Sequence, residues 1–356
     1  MNARKLAAML AAIPIAISAG SSQSQGFAGL GSDAGGFAMP ERGHALSFPA
    51  DHGAHPNFRI EWWYVTANLQ GGDGKIYGAQ WTLFRSALAP GNSEGFSDPQ
   101  VWIGHAAVTT DDRHYFAERF GRGGVGQAGV SVAPFEAWID DWQMKGVSPS
   151  TPDVLDDLSL SASGNDFSYA LNLKANGPLV LQGDRGFSVK SAAGQASYYY
   201  SQPFYQVSGA IKIANKDVKV TGKAWLDREW SSQPLANNQT GWDWFSLHLD
   251  SGEKVMAFRL RDDKDGFVSA NWITADGQTT PMSNDDVRLT PVQQAKVDGR
   301  DMPVGWRIQI PTKSLDITTR PLNERSWMET SPPYWEGPVI FAGSTTGIGY
   351  LEMTGY

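Results

Sequence analysis

The chain has 356 residues, of which 14 are tryptophan, 11 tyrosine and 16 phenylalanine. This length is sufficient for two hydrophobic cores, and the aromatic content is too high for a disordered chain. The net charge of −8, with acids and bases interspersed, argues against a nucleic-acid-binding protein, which needs a basic patch. The absence of cysteine excludes a cysteine nucleophile and a cysteine-ligated metal site.

The first twenty residues are typical of a secretory signal peptide. Arg4 and Lys5 precede an apolar run over 6–17, and the small residues at 18–20 provide a cleavage point near residues 19–20. An uncleaved anchor or a disordered tail is the alternative, but the run is shorter than the ~20 residues that a membrane helix needs. We therefore expect a periplasmic or secreted protein that is not an integral membrane protein once processed.

Residues 21–44 are rich in glycine and serine and predict a flexible leader. From residue 59 onward, short segments alternate apolar and polar residues between turn signals, and no helical stripe is found. In the first half these segments are 59–69, 75–84, 101–109, 114–120, 135–144, 158–162, 167–173, 205–213 and 218–226. In the second half they are 242–249, 254–261, 267–274, 281–289, 304–310, 314–319, 334–341 and 349–354.

This pattern predicts an all-β protein with two domains. Eight strands in the second half suit a closed up-and-down barrel. The polar, turn-rich stretch 231–240 predicts the boundary, giving domains over 45–233 and 234–356. Segments 62–69 and 242–249 each begin with tryptophan and are each followed by a return strand containing Phe-Arg, which fits two similar barrels in tandem.

Several catalytic patterns lack the structural context that they require. Gly91–Gly95 matches G-x-S-x-G within a loop, and Gly121–Gly126 matches G-x-G-x-x-G without a following helix. His52 and His55 lie three apart beside Asp51, but histidines in loops more often cap turns than bind metal. We expect neither a metal nor a cofactor.

Two stretches carry aromatic residues beside carboxylates. Side chains on a strand alternate between its faces, so Glu61 and Trp63 share one face while Trp62 and Tyr64 share the other. By the same rule Trp225, Asp227 and Glu229 share a face. Carboxylates are seldom buried unless they are paired, so this face either meets solvent or lines a site. A surface ion cluster of Asp227, Arg228 and Glu229 is the alternative.

These stretches supply the candidate site residues. The candidates for acid–base chemistry are Asp227, Glu229, Glu61 and His105, although His105 also suits a buried, hydrogen-bonded histidine. The candidates for an apolar ligand site are aromatic: Trp62, Trp63, Tyr64, Trp225, Trp230, Trp242 and Trp244.

Nine segments, in order, resemble the AttH/carotenoid 1,2-hydratase family. They are FPADHGAHPNFRIEWWYVTANL, WTLFRSAL, HAAVTT, HYFAERFGRGG, ASYYYSQP, VTGKAWLDREWSSQPL, GWDWFSLHLDSGEKVMAFRLR, YWEGPV and GYLEMTGY. The resemblance implies two tandem lipocalin-like antiparallel β-barrels. It also implies that Asp227 in WLDREW is the acid, because an aspartate at this position acts as the acid in the hydratases. Many members have histidine where this chain has Arg228.

The resemblance implies an exported protein that binds an apolar, lipid- or isoprenoid-like molecule. If it is an enzyme, the expected reaction is addition of water to a C=C bond, as in a hydro-lyase of the carotenoid 1,2-hydratase type. A non-catalytic carrier or accessory subunit of an envelope ABC exporter is one alternative, and a secreted hydrolase is another. Whether the chain is catalytic stays open at this point.

Overall fold

The computed structural model describes residues 27–148 and 151–356, and these residues form two antiparallel β-sheets and four short 3-10 turns without an α-helix. None of their helical segments is long and apolar enough to cross a bilayer. The predicted signal peptide and the first residues of the predicted leader, 21–26, lie outside the described residues.

The first sheet has 13 strands and continues through most of the first domain. Its order is β4-β3-β2-β1-β13-β12-β9-β8-β7-β6-β5, with the short strands β10 and β11 paired to β12. The strands are β1 (Ile60–Gly71), β2 (Ile76–Ala87), β3 (Gln100–Thr109), β4 (His114–Arg122), β5 (Ala128–Val132), β6 (Phe135–Ile139), β7 (Trp142–Gly146), β8 (Asp157–Ser163), β9 (Phe167–Ala175), β10 (Val180–Leu181), β11 (Phe187–Val189), β12 (Ala196–Ile213) and β13 (Lys216–Ser231).

The second sheet has ten strands in the order β17-β16-β15-β14-β23-β22-β20-β19-β18, with β21 paired to β22. The strands are β14 (Gly241–Leu249), β15 (Lys254–Arg261), β16 (Phe267–Ile273), β17 (Thr279–Met282), β18 (Arg288–Val297), β19 (Arg300–Ile310), β20 (Leu315–Pro321), β21 (Trp327–Met328), β22 (Tyr334–Gly343) and β23 (Gly347–Thr354).

The all-β prediction, with two lipocalin-like barrels, is confirmed. The second sheet differs from the predicted closed barrel. Its end strands, β17 and β18, do not pair with each other, and the sheet curves as a half-barrel. The segment predicted as one strand over 281–289 turns at Ser283–Asp286, where the Asp286 amide donates to the Ser283 carbonyl. Most of β18 was missed because its residues are polar and mostly exposed.

Each barrel encloses its own apolar core, and a third apolar cluster lies between the barrels. The outer face of β1 packs against β23, where the Asn68 side-chain amide donates to the Gly349 carbonyl at 2.8 Å. Glycine is required at position 78 for this close approach, since a Cβ there would lie 2.6 Å from Pro338 Cγ. The two sheets are therefore packed outer face to outer face.

The segment before β1 packs on the first barrel, in contrast to the flexible leader that the sequence predicted. The Arg59 guanidinium donates to Ser32 Oγ at 2.7 Å and to the Leu30 carbonyl at 3.2 Å. The Glu41 amide donates to the Tyr198 hydroxyl at 2.8 Å. Composition alone did not reveal these contacts because two of the three are made by backbone groups of the segment, which leave no sequence signal.

A buried ion cluster ties three adjacent strands together inside the first barrel. Glu61 on β1 accepts hydrogen bonds from Arg85 on β2 and from Arg228 on β13, the latter at 2.6 Å. All three side chains are fully buried. Burial raises the pKa of Glu61, but the attraction of Arg228 and Arg85 outweighs it and holds the pKa well below its usual value. Glu61 is therefore a structural carboxylate.

We expect Glu61→Gln to lower the free energy of unfolding by roughly 3–5 kcal/mol, because it leaves two arginines buried without their anion. This difference in unfolding free energy should shrink as the pH falls below 4.5, the ordinary pKa of glutamate. The wild type then progressively loses the stability that its ionised carboxylate provides. Thermal unfolding measured across pH tests this. Glu136→Gln, at a partly exposed glutamate of the same barrel, is the matched control; an equal loss in both variants would contradict the assignment.

Candidate active site

Strand register arranges two rows of side chains on the outer face of the first sheet. Residues directly opposite one another on neighbouring strands share a face, so the pairing register defines each row. One row is polar and consists of Ser201, Asp227, Tyr64, Thr82, His105 and Glu118. The adjacent row is largely apolar and consists of Tyr199, Glu229, Trp62, Phe84, Ile103 and Phe120.

The second sheet presents two matching rows. One contains Phe258, Trp244, Glu352 and Glu336, which are opposite one another on β15, β14, β23 and β22. The other contains Leu260 opposite Trp242, and Thr354 opposite Tyr334. The Trp242 amide donates to Thr354 Oγ1 at 3.0 Å and so joins these two pairs. Each sheet therefore contributes both aromatic and carboxyl side chains to the interface.

A cavity of about 260 Å³ lies between these rows. The linker residues Pro234 and Leu235 and the N-terminal residues Ala28 and Leu30 also line it. The other lining residues come from both sheets and their loops: Ile60, Trp62, Tyr64, Phe84, Ser86, Ile103, His105, Lys190, Tyr199, Asp227, Glu229, Trp242, Trp244, Phe258, Leu260, Ser331, Pro332, Tyr334, Glu352 and Thr354. Apolar and aromatic walls with a few polar groups are typical of a small-molecule site.

Asp227 is a buried carboxyl in the cavity wall, held only by neutral hydrogen-bond donors. The Tyr199 hydroxyl donates to Oδ2 at 2.7 Å, and the Trp225 indole donates to Oδ1 at 2.6 Å. Ser201 donates to the same Oδ1. Burial raises the pKa of Asp227 to about 7, although these three hydrogen bonds lower it in part. Both the acid and its conjugate base are therefore available near neutral pH.

Glu229 lies beside Asp227 on the same face of β13 but is ion-paired. Its carboxylate is 2.8 Å from Lys190 Nζ and also accepts a hydrogen bond from Ser197. Lys190 Nζ lies 4.3 Å from the centre of the Phe258 ring. Glu229 therefore has a cationic partner in the cavity wall, whereas the hydrogen-bond partners of Asp227 are all neutral.

The second sheet supplies a further carboxyl to the cavity. Glu352 accepts a hydrogen bond from the Trp242 indole, and its accessible part faces the cavity. Burial raises the pKa of Glu352 to about 7, and the hydrogen bond from Trp242 and the nearby Tyr64 hydroxyl lower it in part. The cavity thus holds two carboxyls that titrate near neutrality, one from each barrel.

The structure brings seven of the eleven candidate site residues together around the cavity: Asp227, Glu229, His105, Trp62, Tyr64, Trp242 and Trp244. Three others face the interior of the first barrel instead, and they are Glu61, Trp63 and Trp230. Trp63 and Trp230 lie against the Arg228 guanidinium, whose central carbon is 3.7 Å and 5.1 Å from their ring centres. Trp225 is fully buried behind Asp227 and donates to it.

Sequence reasoning missed Tyr199, Lys190, Glu352, Tyr334 and Phe258. Tyr199 and Glu352 lie in segments that carry the family resemblance, ASYYYSQP and GYLEMTGY. A single glutamate or tyrosine in a strand gives no local signal that it faces a partner sheet, so those segments could flag the region but not the residue. Among the described residues, no group of three or more His, Asp or Glu side chains is arranged to hold a metal ion.

Comparison with known proteins agrees with this architecture. The sequence profile of the AttH-like family matches residues 39–356, which is most of the chain. The chain belongs to the AttH-like family. An AttH protein of Nitrosomonas europaea is 35% identical, with a TM-score of 0.78 over 90% of this chain and 100% of that one. Among curated proteins, none matches the sequence of this AttH-like chain.

A second solved structure shares the fold at low identity. Kievitone hydratase of Nectria haematococca has a TM-score of 0.67 and 14% identity, over 89% of the AttH-like chain and 95% of its own. At this identity the likeness establishes the arrangement of the two barrels and not the chemistry of the cavity.

The raised pKa of Asp227 predicts a pH-dependent effect of Asp227→Asn on stability. A carboxyl whose folded pKa exceeds its unfolded value costs stability as the pH rises from 3.8 to about 7, by roughly 1.4 kcal/mol per pH unit. The asparagine variant has no such cost. Its melting temperature should therefore rise relative to wild type over this interval, and a constant difference would contradict a raised pKa. Asp217→Asn, at an exposed position of the same strand, is the control.

Proposed function

We propose that this AttH-like protein binds an apolar, isoprenoid-like molecule between its two barrels and adds water to a C=C bond of that molecule. The observation that carries the proposal is Asp227, a buried carboxyl with a pKa near 7 that faces an aromatic cavity and has only neutral hydrogen-bond partners. The fold shared with kievitone hydratase supports a hydratase as the class of enzyme.

Hydration of an electron-rich alkene begins with protonation of carbon, which needs an acid that is still protonated near pH 7. Burial of a carboxyl in an apolar site provides such an acid. The proton of Asp227 passes to the less substituted alkene carbon, and the Tyr199, Ser201 and Trp225 donors then stabilise the carboxylate that is left. The three donors lie on the paired strands β12 and β13 and already contact the Asp227 carboxyl, so they need no rearrangement during the step.

The carbocation that forms is stabilised by the cavity walls. The faces of indole and phenol rings attract positive charge, and the attraction is stronger in a site shielded from water. Trp62 and Tyr64 come from the first sheet, and Trp242 and Trp244 from the second. The Tyr64 ring meets the Trp244 ring edge-on, with centres 5.4 Å apart. Water adds to the cation and then gives up one proton to a basic group of the wall.

A non-catalytic carrier would use the same cavity, because apolar walls bind an isoprenoid whether or not Asp227 transfers a proton. The carrier and the hydratase differ in the expected effect of replacing Asp227 by asparagine. A carrier tolerates Asp227→Asn with its affinity intact and shows no chemistry in either form. A hydratase loses turnover while it keeps its affinity.

We expect Asp227→Asn to abolish hydration while binding persists. Purified protein would be incubated with citronellol, farnesol and lycopene in oxygen-18 water, and mass spectrometry would detect addition of one labelled water. Turnover should fall by about 10²–10⁴, the usual contribution of one acid–base group. Affinity for the apolar fluorophore Nile red should not change.

Asp217→Asn is the matched control for this experiment, because Asp217 lies on the same strand and is exposed. Hydration that survives Asp227→Asn would remove Asp227 from the mechanism. Binding of the probes without labelled product in the wild type would favour the carrier.

We also propose that the protein is exported, on the basis of the predicted signal peptide over 1–20. The mature chain should begin near Gly20 or Ser21 and be released from cells by osmotic shock. N-terminal sequencing of the released protein checks both expectations. Full-length protein in the cytosolic fraction would contradict export.

A further inference from the structure

We propose that Glu352 is the second acid–base residue of the cavity and that a chain of side chains through Tyr64, Glu336, Tyr334 and His105 connects it to Glu118 at the surface. Glu352 takes the proton that the adding water releases, and the chain delivers that proton to solvent. The inference deepens the proposed hydration and rests on it.

The inner half of the chain lies at the junction of the barrels. Tyr64 comes from the first sheet, and its hydroxyl donates to Glu336 Oε1 at 2.6 Å. The same phenol lies close to Glu352, and both side chains line the cavity. Glu336 lies directly opposite Glu352 on the neighbouring strand and is fully buried. Tyr64 thus lies between Glu352, which lines the cavity, and Glu336, which does not.

The outer half of the chain returns to the first sheet. Tyr334 lies beside Glu336 and is hydrogen-bonded through its hydroxyl to His105 Nδ1, at 3.0 Å. His105 Nε2 lies 3.1 Å from Glu118 Oε1. The Glu118 side chain is 20% exposed and also accepts a hydrogen bond from the Ser331 amide at 2.6 Å. The chain therefore ends on a carboxylate at the protein surface.

The donors and acceptors of the chain agree in direction when Glu336 and Glu352 are neutral. Burial of His105 lowers its pKa and so favours the neutral ring, and in the tautomer with the proton on Nε2 this proton points to the Glu118 carboxylate. Nδ1 is then an acceptor for the Tyr334 hydroxyl. Neutral Glu336 can donate to Tyr334 while Oε1 accepts from Tyr64, and neutral Glu352 can donate to Tyr64.

Two steps of the chain, Glu352 to Tyr64 and Glu336 to Tyr334, are not closed by a hydrogen bond among the described residues, and the second one involves Glu336 Oε2. Within the described residues this oxygen has no hydrogen-bond partner, although the Tyr334 hydroxyl is near enough to lower the pKa of the carboxyl. Unpaired buried polar atoms are costly and uncommon in folded proteins. A carboxyl proton on Oε2 needs an acceptor, and a small shift of the Tyr334 ring supplies it.

Other titratable groups face the same region and do not offer a competing path. Burial raises the pKa of Tyr350 and of Tyr169 well above the usual range, so neither ionises. Glu229 is paired with Lys190. Asp227 is held by its own three donors and belongs to the acid side of the cavity.

Protons balance over one turnover. Asp227 gives one proton to carbon, and the oxygen of water bonds to the adjacent carbon. The oxonium so formed gives one proton to the Glu352 carboxylate. Glu352 then passes a proton to Tyr64 as Tyr64 passes its own to Glu336, and the shift continues to Glu118, which releases one proton to water. Asp227 regains one proton from water, so the net reaction is alkene plus water to alcohol.

The test follows the buried proton of Glu336 by infrared spectroscopy after transfer of the protein into deuterium oxide. The carboxyl C=O band is assigned by its loss in Glu336→Gln. Glu118→Gln removes the terminal proton acceptor and keeps its shape, and Tyr334→Phe removes one hydroxyl. Exchange of the Glu336 band should slow by on the order of 100-fold in each variant, the low end of what one positioned acid–base group contributes.

Glu136→Gln and Tyr115→Phe are the matched controls, since both residues lie on the first barrel outside the chain. Unchanged exchange in Glu118→Gln, or a wild type in which Glu336 is ionised near neutral pH, would overturn the proposal. If Tyr334→Phe does not fold, Glu118→Gln alone decides, because its site is partly exposed.

Hydration of the three isoprenoid probes is measured in parallel. Glu352→Gln should abolish hydration while Nile red binding remains, and retained hydration overturns the role of Glu352. If exchange of the Glu336 band slows in the variants but neither wild type nor any variant hydrates the probes, the proton path is supported and the proposed hydratase function is rejected. Hydration with unchanged exchange would leave the function standing and remove the path.

Discussion

The ion cluster of Glu61, Arg85 and Arg228 fixes the strand register on which the whole cavity depends. It joins β1, β2 and β13, the adjacent strands that carry Tyr64, Phe84 and Asp227 on their opposite faces. Because side chains alternate, a slip of one residue would turn Asp227 into the barrel and Arg228 into the cavity. Such a slip would also leave the buried charges unpaired, which is costly. The ion pairs inside the barrel thus determine which side chains face the cavity outside it.

The same alternation keeps position 228, where the sequence resemblance implies histidine in many family members, away from the cavity. Arg228 faces the barrel interior, between Trp63 and Trp230, and its guanidinium donates to Glu61. It does not line the cavity that Asp227 faces. Arg228 therefore contributes to the packing and charge of the first barrel, and a proton that leaves Asp227 does not pass through this position.

Alternation along each strand made the fold class and the shared faces predictable from sequence. The sequence correctly grouped Trp62 with Tyr64, and Asp227 with Glu229, because period two is a local property. It could not say which face of each strand meets the barrel interior, since both faces of β1 carry large aromatics. The sequence therefore predicts Trp63 on β1 and Trp230 on β13 as ligand-site residues, whereas both lie inside the barrel.

The second barrel's contribution was less predictable because it depends on contacts between sheets. Glu352 lies in the last strand and Tyr334 at the start of β22, and only the packing of outer face on outer face brings them to Tyr64 and His105. Edge strands were hard to predict from sequence for a related reason. Most of β18 is polar and exposed, so it lacks the apolar alternation that identified the interior strands.

The protein has two kinds of buried carboxyl group, one that stabilises the fold and one that suits acid–base chemistry. Glu61 is paired with two arginines and is ionised, as expected of a carboxylate that stabilises a fold. Asp227 is just as inaccessible, yet its partners are a phenol, an indole and a hydroxyl, none of which can neutralise its charge. A chain that buried Asp227 only for stability would do better with a nearby arginine or with an apolar residue. The absence of a cation among its hydrogen-bond partners leaves this carboxyl able to gain and lose a proton near neutral pH, and that capacity is what a site for acid–base chemistry requires.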